Sequence, residues 1–300
     1  MREPHCPVCG GGDITLYMKG VFDCESTSVM ECNGCGLQFL DPMMSDEEEH
    51  EYYRNYYENQ KTRHYKTLSV KDIQTGALKN YDRYKDIYLD LIKDKKDILE
   101  IGSGSGGFLR FVKGNSPKSS VVSIEKSESN RDFLKDGDFN GITFLNDLSQ
   151  LGQESRFDLI AAFGVFEHIK NGVSFLEMVR RCLKDENSRL AMNIPNKRNP
   201  LVDLYHIDEF RKFSYMKQHY YTYTERSLEI LAARTGYVID KFNYMQVWGL
   251  DNHLSWLKNK RPQNFKIYTD IFSAETLKSY DNDLIKRKMT DLMMVVLKKS

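Results

Sequence analysis

Polar and apolar positions change rhythm near residue 96, and that change divides the chain. Upstream, Leu78, Tyr81, Tyr84, Ile87, Tyr88 and Leu91 recur at three- and four-residue spacing, which predicts a helix from about 75 to 95. Downstream, short apolar runs alternate with helical text. Ile98, Leu99 and Ile101 predict a strand, followed by a glycine loop and a helix carrying Phe108, Leu109, Phe111 and Val112. Val121, Val122 and Ile124 predict a second strand. Ile142, Phe144 and Leu145 predict a third, Leu159 to Phe163 a fourth, and Leu190 to Ile194, stopped by Pro195, a fifth. Phe175, Leu176, Val179, Cys182 and Leu183 share one face of an intervening helix. Strands and helices alternating at these lengths predict an α/β fold, a parallel sheet with helices on both faces.

The two ends read differently. After residue 225 the run SLEILAARTG predicts a helix stopped at Gly236. Val238 to Met245 predicts a sixth strand and Leu292 to Leu297 a seventh, with an insertion at about 250–290 between them. Residues 1–42 are rich in Cys and Gly, with strand-like text such as 14-ITLYMKGVF-22. Residues 43–60 are acidic and rich in tyrosine, and predict a helix starting near Ser45, whose side chain caps together with Glu48. Three regions follow: 1–42, a helical linker or lid at 43–95, and a main domain at 96–300.

The 300 residues are 40% hydrophobic, enough for one good core and a smaller satellite. Forty-three Lys+Arg balance 43 Asp+Glu, so there is no global basic field for nucleic acid or an anionic membrane. The first 60 residues hold twelve carboxylates against three cations, a local net of −9, so the remainder carries +9. That acidic module is a poor match for a phosphate backbone. The start, MREPHCPVCG, has no apolar signal-peptide core, and the longest apolar runs are too short to span a bilayer; a cytoplasmic location is expected.

Four of the six cysteines form two Cys-x-x-Cys pairs, Cys6/Cys9 and Cys32/Cys35, each followed by glycine. Two thiolates at that spacing grip one metal from a tight turn, and four close a tetrahedron, so a structural zinc ribbon is expected. His5 and Cys24 read as bystanders, and Cys182 stands alone.

The loop Glu100-Ile101-Gly102-Ser103-Gly104-Ser105-Gly106-Gly107 leaves a strand and opens a helix. Glycines there let the backbone approach a ligand closely. Gly102, Gly104 and Gly107 also match the dinucleotide pattern Gly-x-Gly-x-x-Gly, which is a weak signal alone. Glu125 ends the next strand, where a carboxylate can accept hydrogen bonds from both hydroxyls of a ribose. These features alone do not separate a nicotinamide dinucleotide from S-adenosylmethionine (SAM).

The text around them resembles the class I SAM-dependent methyltransferases. Glu100 fits their acidic-x-Gly-x-Gly-x-Gly motif, Asn146-Asp147-Leu148 follows the third strand, and 157-FDLIAAFGVFEHIKNGVSFLEMVRRCLKDENSRLAMNIPN-196 is close to their central segment. CPVCG, CNGCGLQFLDP and HYYTYTERSLEILAARTGY resemble a bacterial subfamily with an N-terminal zinc ribbon, many of whose members modify sugars and polysaccharides. The resemblance implies a Rossmann-like, mostly parallel seven-stranded sheet with a reversed last strand. It implies a cofactor site of Glu100, Gly102, Ser103, Gly104, Gly106, Glu125, Lys126, Asp147, Leu148 and Phe163. Glu100 would lie under the methionine end, Glu125 on the ribose and Asp147 against the adenine.

The acceptor side is expected at the ends of the fourth and fifth strands, near Phe163, Gly164, Glu167, His168 and Asn196. His168 is the candidate general base, with Glu167 orienting it or binding a hydroxyl, and His219 reaching the same pocket. Some related O-methyltransferases place metal ligands in a Glu-x-x-Glu-His run; here Gly164 stands in its first position, which leaves that set short. Tyr52, Tyr53, Tyr56 and Tyr57 read either as a packed aromatic face or as a lid. The functional expectation is methylation of a hydroxyl, or less readily a carbon, of a sugar, nucleotide-sugar or glycan precursor. An RNA-directed methyltransferase and a non-catalytic SAM-binding scaffold stay open.

Overall fold

A computed structural model of the protein describes residues 5–54, 79, 81–135, 139–262 and 268–300. Three antiparallel strands come first: β1 (Ile14–Val21), β2 (Cys24–Cys32) and β3 (Gln38–Asp41). The helix Asp46–Arg54 follows, opened by the expected capping box: Ser45 N–H donates to Glu48 Oε2 at 2.7 Å, and Glu48 N–H to Ser45 Oγ at 3.2 Å. Of the helix expected over 75–95, residues 81–83 are helical, a turn follows at Tyr84, and the helix Lys85–Ile92 buries Tyr88, Leu91 and Ile92; Leu78 lies outside the described residues.

Five parallel strands follow: β4 (Asp97–Ile101), β5 (Ser120–Ile124), β6 (Ile142–Leu145), β7 (Leu159–Phe163) and β8 (Arg189–Pro195). The central strands are nearly continuous apolar runs because helices cover both of their faces. Ile98, Leu99, Leu159, Ile160, Ala161, Leu190, Ala191 and Met192 are all fully buried. β9 (Tyr221–Thr222) is short and leaves this sheet. β10 (Tyr237–Met245) and β11 (Leu292–Lys299) return to it, giving the order β10-β11-β8-β7-β4-β5-β6. β11 runs antiparallel to both neighbours. This is the expected α/β sheet with its reversed last strand. The insertion between β10 and β11 holds helices Leu250–Asn259 and Ala274–Lys286.

The cysteine-bearing sheet is not a separate body. β9 pairs with β3, Phe39 opposite Tyr221 and Gln38 opposite Thr222, so a strand from beyond β8 completes the N-terminal sheet. The buried cluster on one face of the large sheet, including Leu99, Phe166, Phe175 and Leu231, runs on into Val29, Leu37, Phe39 and Leu40. A second cluster, with Tyr88, Phe108, Leu109 and Val112, fills the opposite face. Among the described residues no helix is long and apolar enough to cross a membrane.

Candidate functional site

The parallel strands all end on one edge, and the glycine loop leaves β4 there. Gly102, Gly104 and Gly106 have φ of 73°, 51° and 76°, a region that L side chains rarely adopt. Their surroundings differ. A Cβ on Gly106 would stand 2.5 Å from the Phe139 ring and 2.7 Å from Leu134, so only glycine fits. A Cβ on Gly104 would meet nothing within 4 Å, so this turn of the loop faces open space.

Glu125, buried at the end of β5, accepts from Gly104 N–H at 2.7 Å and from Ser127 N–H at 2.8 Å, one bond to each oxygen. Each oxygen keeps a second acceptor direction. Glu100 is buried below the loop. Burial first, then the neighbouring Glu125 charge, push its carboxyl well above the usual range, and its Oε2 has no partner among the described residues. Ser103 turns its hydroxyl inward to Ser123, so it can offer a ligand only its backbone.

Asp147 follows β6 and caps the turn Leu148–Gln150, accepting from Ser149 N–H at 2.8 Å. Hydrogen bonds from Ser149 hold its carboxyl below the ordinary range. Leu148 beside it is half-buried. Lys126 is exposed, 3.7 Å from Glu49 and 5.7 Å from the centre of the Tyr53 ring. Phe163 ends β7, edge-on to Phe108 and Tyr88. Gly164 follows at φ 67° with open space where a side chain would stand.

The next turn, Phe166–His168, carries Glu167 and His168, and His219 arrives just ahead of β9. One ligating atom from each of the three lies within 4.8 Å of the others. The two imidazoles meet edge to face, their centres 4.7 Å apart. Burial pushes Glu167 up to about 8 and His168 down to about 4, so near neutrality both carry no charge. Glu167 Oε2 and His168 Nδ1 are buried without partners among the described residues. A neutral imidazole with an unused ring nitrogen can take a proton from a bound hydroxyl. Thus the residues singled out from sequence for catalysis are brought together, although 51 positions separate His168 from His219.

Sequence reasoning did not single out Glu49, Lys170 or Tyr220. Glu49 accepts from Tyr220 OH at 3.1 Å and pairs with Lys170 at 2.9 Å. An acidic run on a short helix reads as a solvated face, and nothing in its spacing marks the one acid that turns inward. Of the tyrosines weighed as a lid, Tyr52 is buried and packs edge-on against Tyr53; Tyr56 and Tyr57 lie outside the described residues.

The four cysteines converge at the ends of the first sheet. Cys6 and Cys35 Sγ are 3.6 Å apart, Cys9 and Cys32 Sγ 3.5 Å, and all four lie within 4.8 Å of one another. A zinc with sulfurs at about 2.3 Å has tetrahedral edges of about 3.8 Å, so the set fits that ion. Cys24 turns away to the hydroxyls of Ser26 and Thr27.

Residues 74–241 match the family described as "Methyltransferase domain". Among curated proteins, "N-methyltransferase 4" of Papaver somniferum is 31% identical over 106 residues, covering 33% of this chain and 30% of its own length. "(S)-coclaurine N-methyltransferase" of the same plant is 24% identical over 58% of this chain and 52% of its own. The chain thus spans about a third of the length of the first and about half of the second. "Malonyl-[acyl-carrier protein] O-methyltransferase 1" of Ilyobacter polytropus is 25% identical over 74% of this chain and 95% of its own. The fold is also that of a SAM dependent methyltransferase from Archaeoglobus fulgidus, at a TM-score of 0.51 and 16% identity, covering 81% of this chain and 99% of that one.

Proposed function

The chain belongs to the methyltransferase-domain family, which matches residues 74–241 of its 300, and from that premise we propose that it moves a methyl group from SAM to a hydroxyl of a sugar, nucleotide-sugar or glycan precursor. SAM supplies a methyl already activated on a sulfonium, so the protein has to hold donor and acceptor in line and remove one proton. The single observation that carries the reading is the pairing of two clusters on one sheet edge. Gly104 and Glu125 form the first, and Glu167, His168 and His219 the second, with the open positions at Gly104 and Gly164 belonging to the same edge.

In this reading Glu125 accepts from the ribose hydroxyls through its remaining lone pairs, and Asp147 faces the adenine. Glu100 supports the loop from below, while Lys126, Leu148 and Phe163 border the pocket. His168 takes the acceptor proton at its partnerless Nδ1, as the acceptor oxygen bonds the methyl carbon and the carbon–sulfur bond breaks. Glu167, protonated near neutrality, donates a hydrogen bond to the acceptor, and His219 flanks it. The cysteine cluster holds a structural zinc with no part in the chemistry. The O-methyltransferase named above agrees with an oxygen acceptor, whereas the N-methyltransferases leave the accepting atom to experiment.

Purified protein incubated with SAM and a panel of nucleotide-sugars and glycan fragments should release S-adenosylhomocysteine and yield a methylated sugar visible by mass spectrometry. Release with a nitrogenous acceptor, and none with any sugar, would overturn the acceptor. Failure to bind SAM at all would overturn the whole reading.

A further inference from the structure

The acidic helix Asp46–Arg54 carries Asp46, Glu47, Glu48, Glu49 and Glu51, and of these only Glu49 is turned partly inward. Its carboxylate reaches three segments at once. Lys126 follows Glu125 and lies 3.7 Å away. Lys170 stands two residues after His168, at 2.9 Å. Tyr220 stands one residue after His219 and donates its hydroxyl at 3.1 Å. Tyr221 closes the loop by donating its hydroxyl to the Lys170 carbonyl at 2.8 Å.

The backbone around His219 is also fixed from outside the catalytic sheet. Phe22 N–H donates to the Tyr215 carbonyl at 2.9 Å, Leu40 N–H to the Tyr220 carbonyl at 3.0 Å, and Lys217 N–H to Asp23 at 3.0 Å. Thr224 donates its hydroxyl to the Cys35 carbonyl at 2.7 Å. The turn between β1 and β2, strand β3, one knuckle and one helix of the N-terminal region therefore bracket a ten-residue segment with His219 at its middle.

We propose that Glu49 is a positioning residue, which sets the relative placement of His168 and His219 by tying Lys170 to Tyr220, and that the cysteine-bearing sheet acts on the site through this segment. The inference rests on the reading of Glu167, His168 and His219 as the acceptor side, and it gives the N-terminal sheet a role beyond stability. A half-buried carboxylate between two ammonium groups and a phenol is held by charge-assisted bonds with little freedom to drift. Such bonds hold the groups around a reacting centre to the tolerance that chemistry needs.

The test uses the full zinc-loaded chain and its seven histidines. Long-range proton–nitrogen NMR reads each imidazole in the wild type, in Glu49→Gln and in Lys170→Met. S-adenosylhomocysteine titration by calorimetry is the parallel readout. In both variants the ring signals of His168 and His219 should shift, while His253, buried in the insertion, stays fixed. In Lys170→Met, whose side chain pairs with none of the residues assigned to the cofactor, the cofactor affinity should change by less than about threefold. Unshifted His168 and His219 signals would overturn the proposal. So would equal movement of His253, which would mark a general loosening. A wild type that does not bind S-adenosylhomocysteine would sink the functional reading instead, while the histidine shifts still report on Glu49.

Discussion

Gly104 donates its backbone N–H to Glu125 Oε2 at 2.7 Å, tying the first-strand turn to the carboxylate that ends the neighbouring strand. In the proposed reading the bond fixes the floor on which a ribose rests, because it holds the turn and its acceptor in one geometry. Preorganisation of this kind spares a ligand the cost of ordering the loop.

The glycines around that bond should separate folding from binding. Gly106→Ala forces a methyl into Phe139 and Leu134 at a positive φ, so it should lose about 2–4 kcal/mol of stability. Gly104→Ala has room for the methyl and should lose only about 1–2 kcal/mol from its left-handed backbone, yet weaken SAM binding clearly. Thermal unfolding and calorimetry on both variants check the contrast; equal losses of stability would contradict it.

Glu167 gives a pH signature with a definite sign. Burial raises its folded pKa to about 8, above the value near 4.5 of an exposed glutamate. Between those limits the folded chain holds a proton that the unfolded chain releases. Its contribution is therefore fully present below about pH 4.5 and is lost at about 1.4 kcal/mol per pH unit as pH rises towards 8. Glu167→Gln should match the wild type near pH 5 and become the more stable of the two near pH 8, as read by melting temperature. A difference independent of pH would refute the burial argument.

Removal of a metal from the cysteine cluster should expose thiols in a counted way. The chain has six free cysteines, of which Cys24 and Cys182 stand outside the cluster. A thiol reagent should titrate two groups in zinc-loaded protein and six after chelation. The melting temperature should fall, because the cluster closes the sheet that β9 completes. Six reactive thiols in protein never exposed to a chelator would argue against bound zinc.

His168→Ala should lower kcat by about 10²–10⁴-fold and His219→Ala by less, with SAM affinity retained in both. Steady-state kinetics on the acceptor found by screening test that order. Loss of SAM binding in either variant would move that histidine out of the acceptor role.

Much of this arrangement was legible in the chain. Leu159 to Phe163 and Leu190 to Ile194 are apolar runs of strand length between helical faces, and they became the centre of the sheet. The loop at Gly102–Gly107 and each Cys-x-x-Cys pair show in local spacing, because their chemistry needs neighbours close in sequence, and Glu125 shows by its place at the end of the next strand. What spacing does not encode is contact across the fold. Tyr221 and Thr222 are two residues of strand, too short to show a period, yet they complete the N-terminal sheet from far along the chain. Glu49 sits among acids of identical type, and only packing decides which one turns towards Lys170 and Tyr220. Thr224 hides its cap in the same way: Ser227 takes the place usually held by Glu or Gln in the capping box.

The most direct measurement is a calorimetric titration of SAM into the wild type and into Glu125→Ala. The account predicts one SAM per chain and an affinity lower by about 10²–10⁴-fold in the variant, the cost of two lost charge-assisted hydrogen bonds to the ribose. An unchanged affinity in Glu125→Ala, or heat from a nicotinamide dinucleotide and none from SAM, would contradict it.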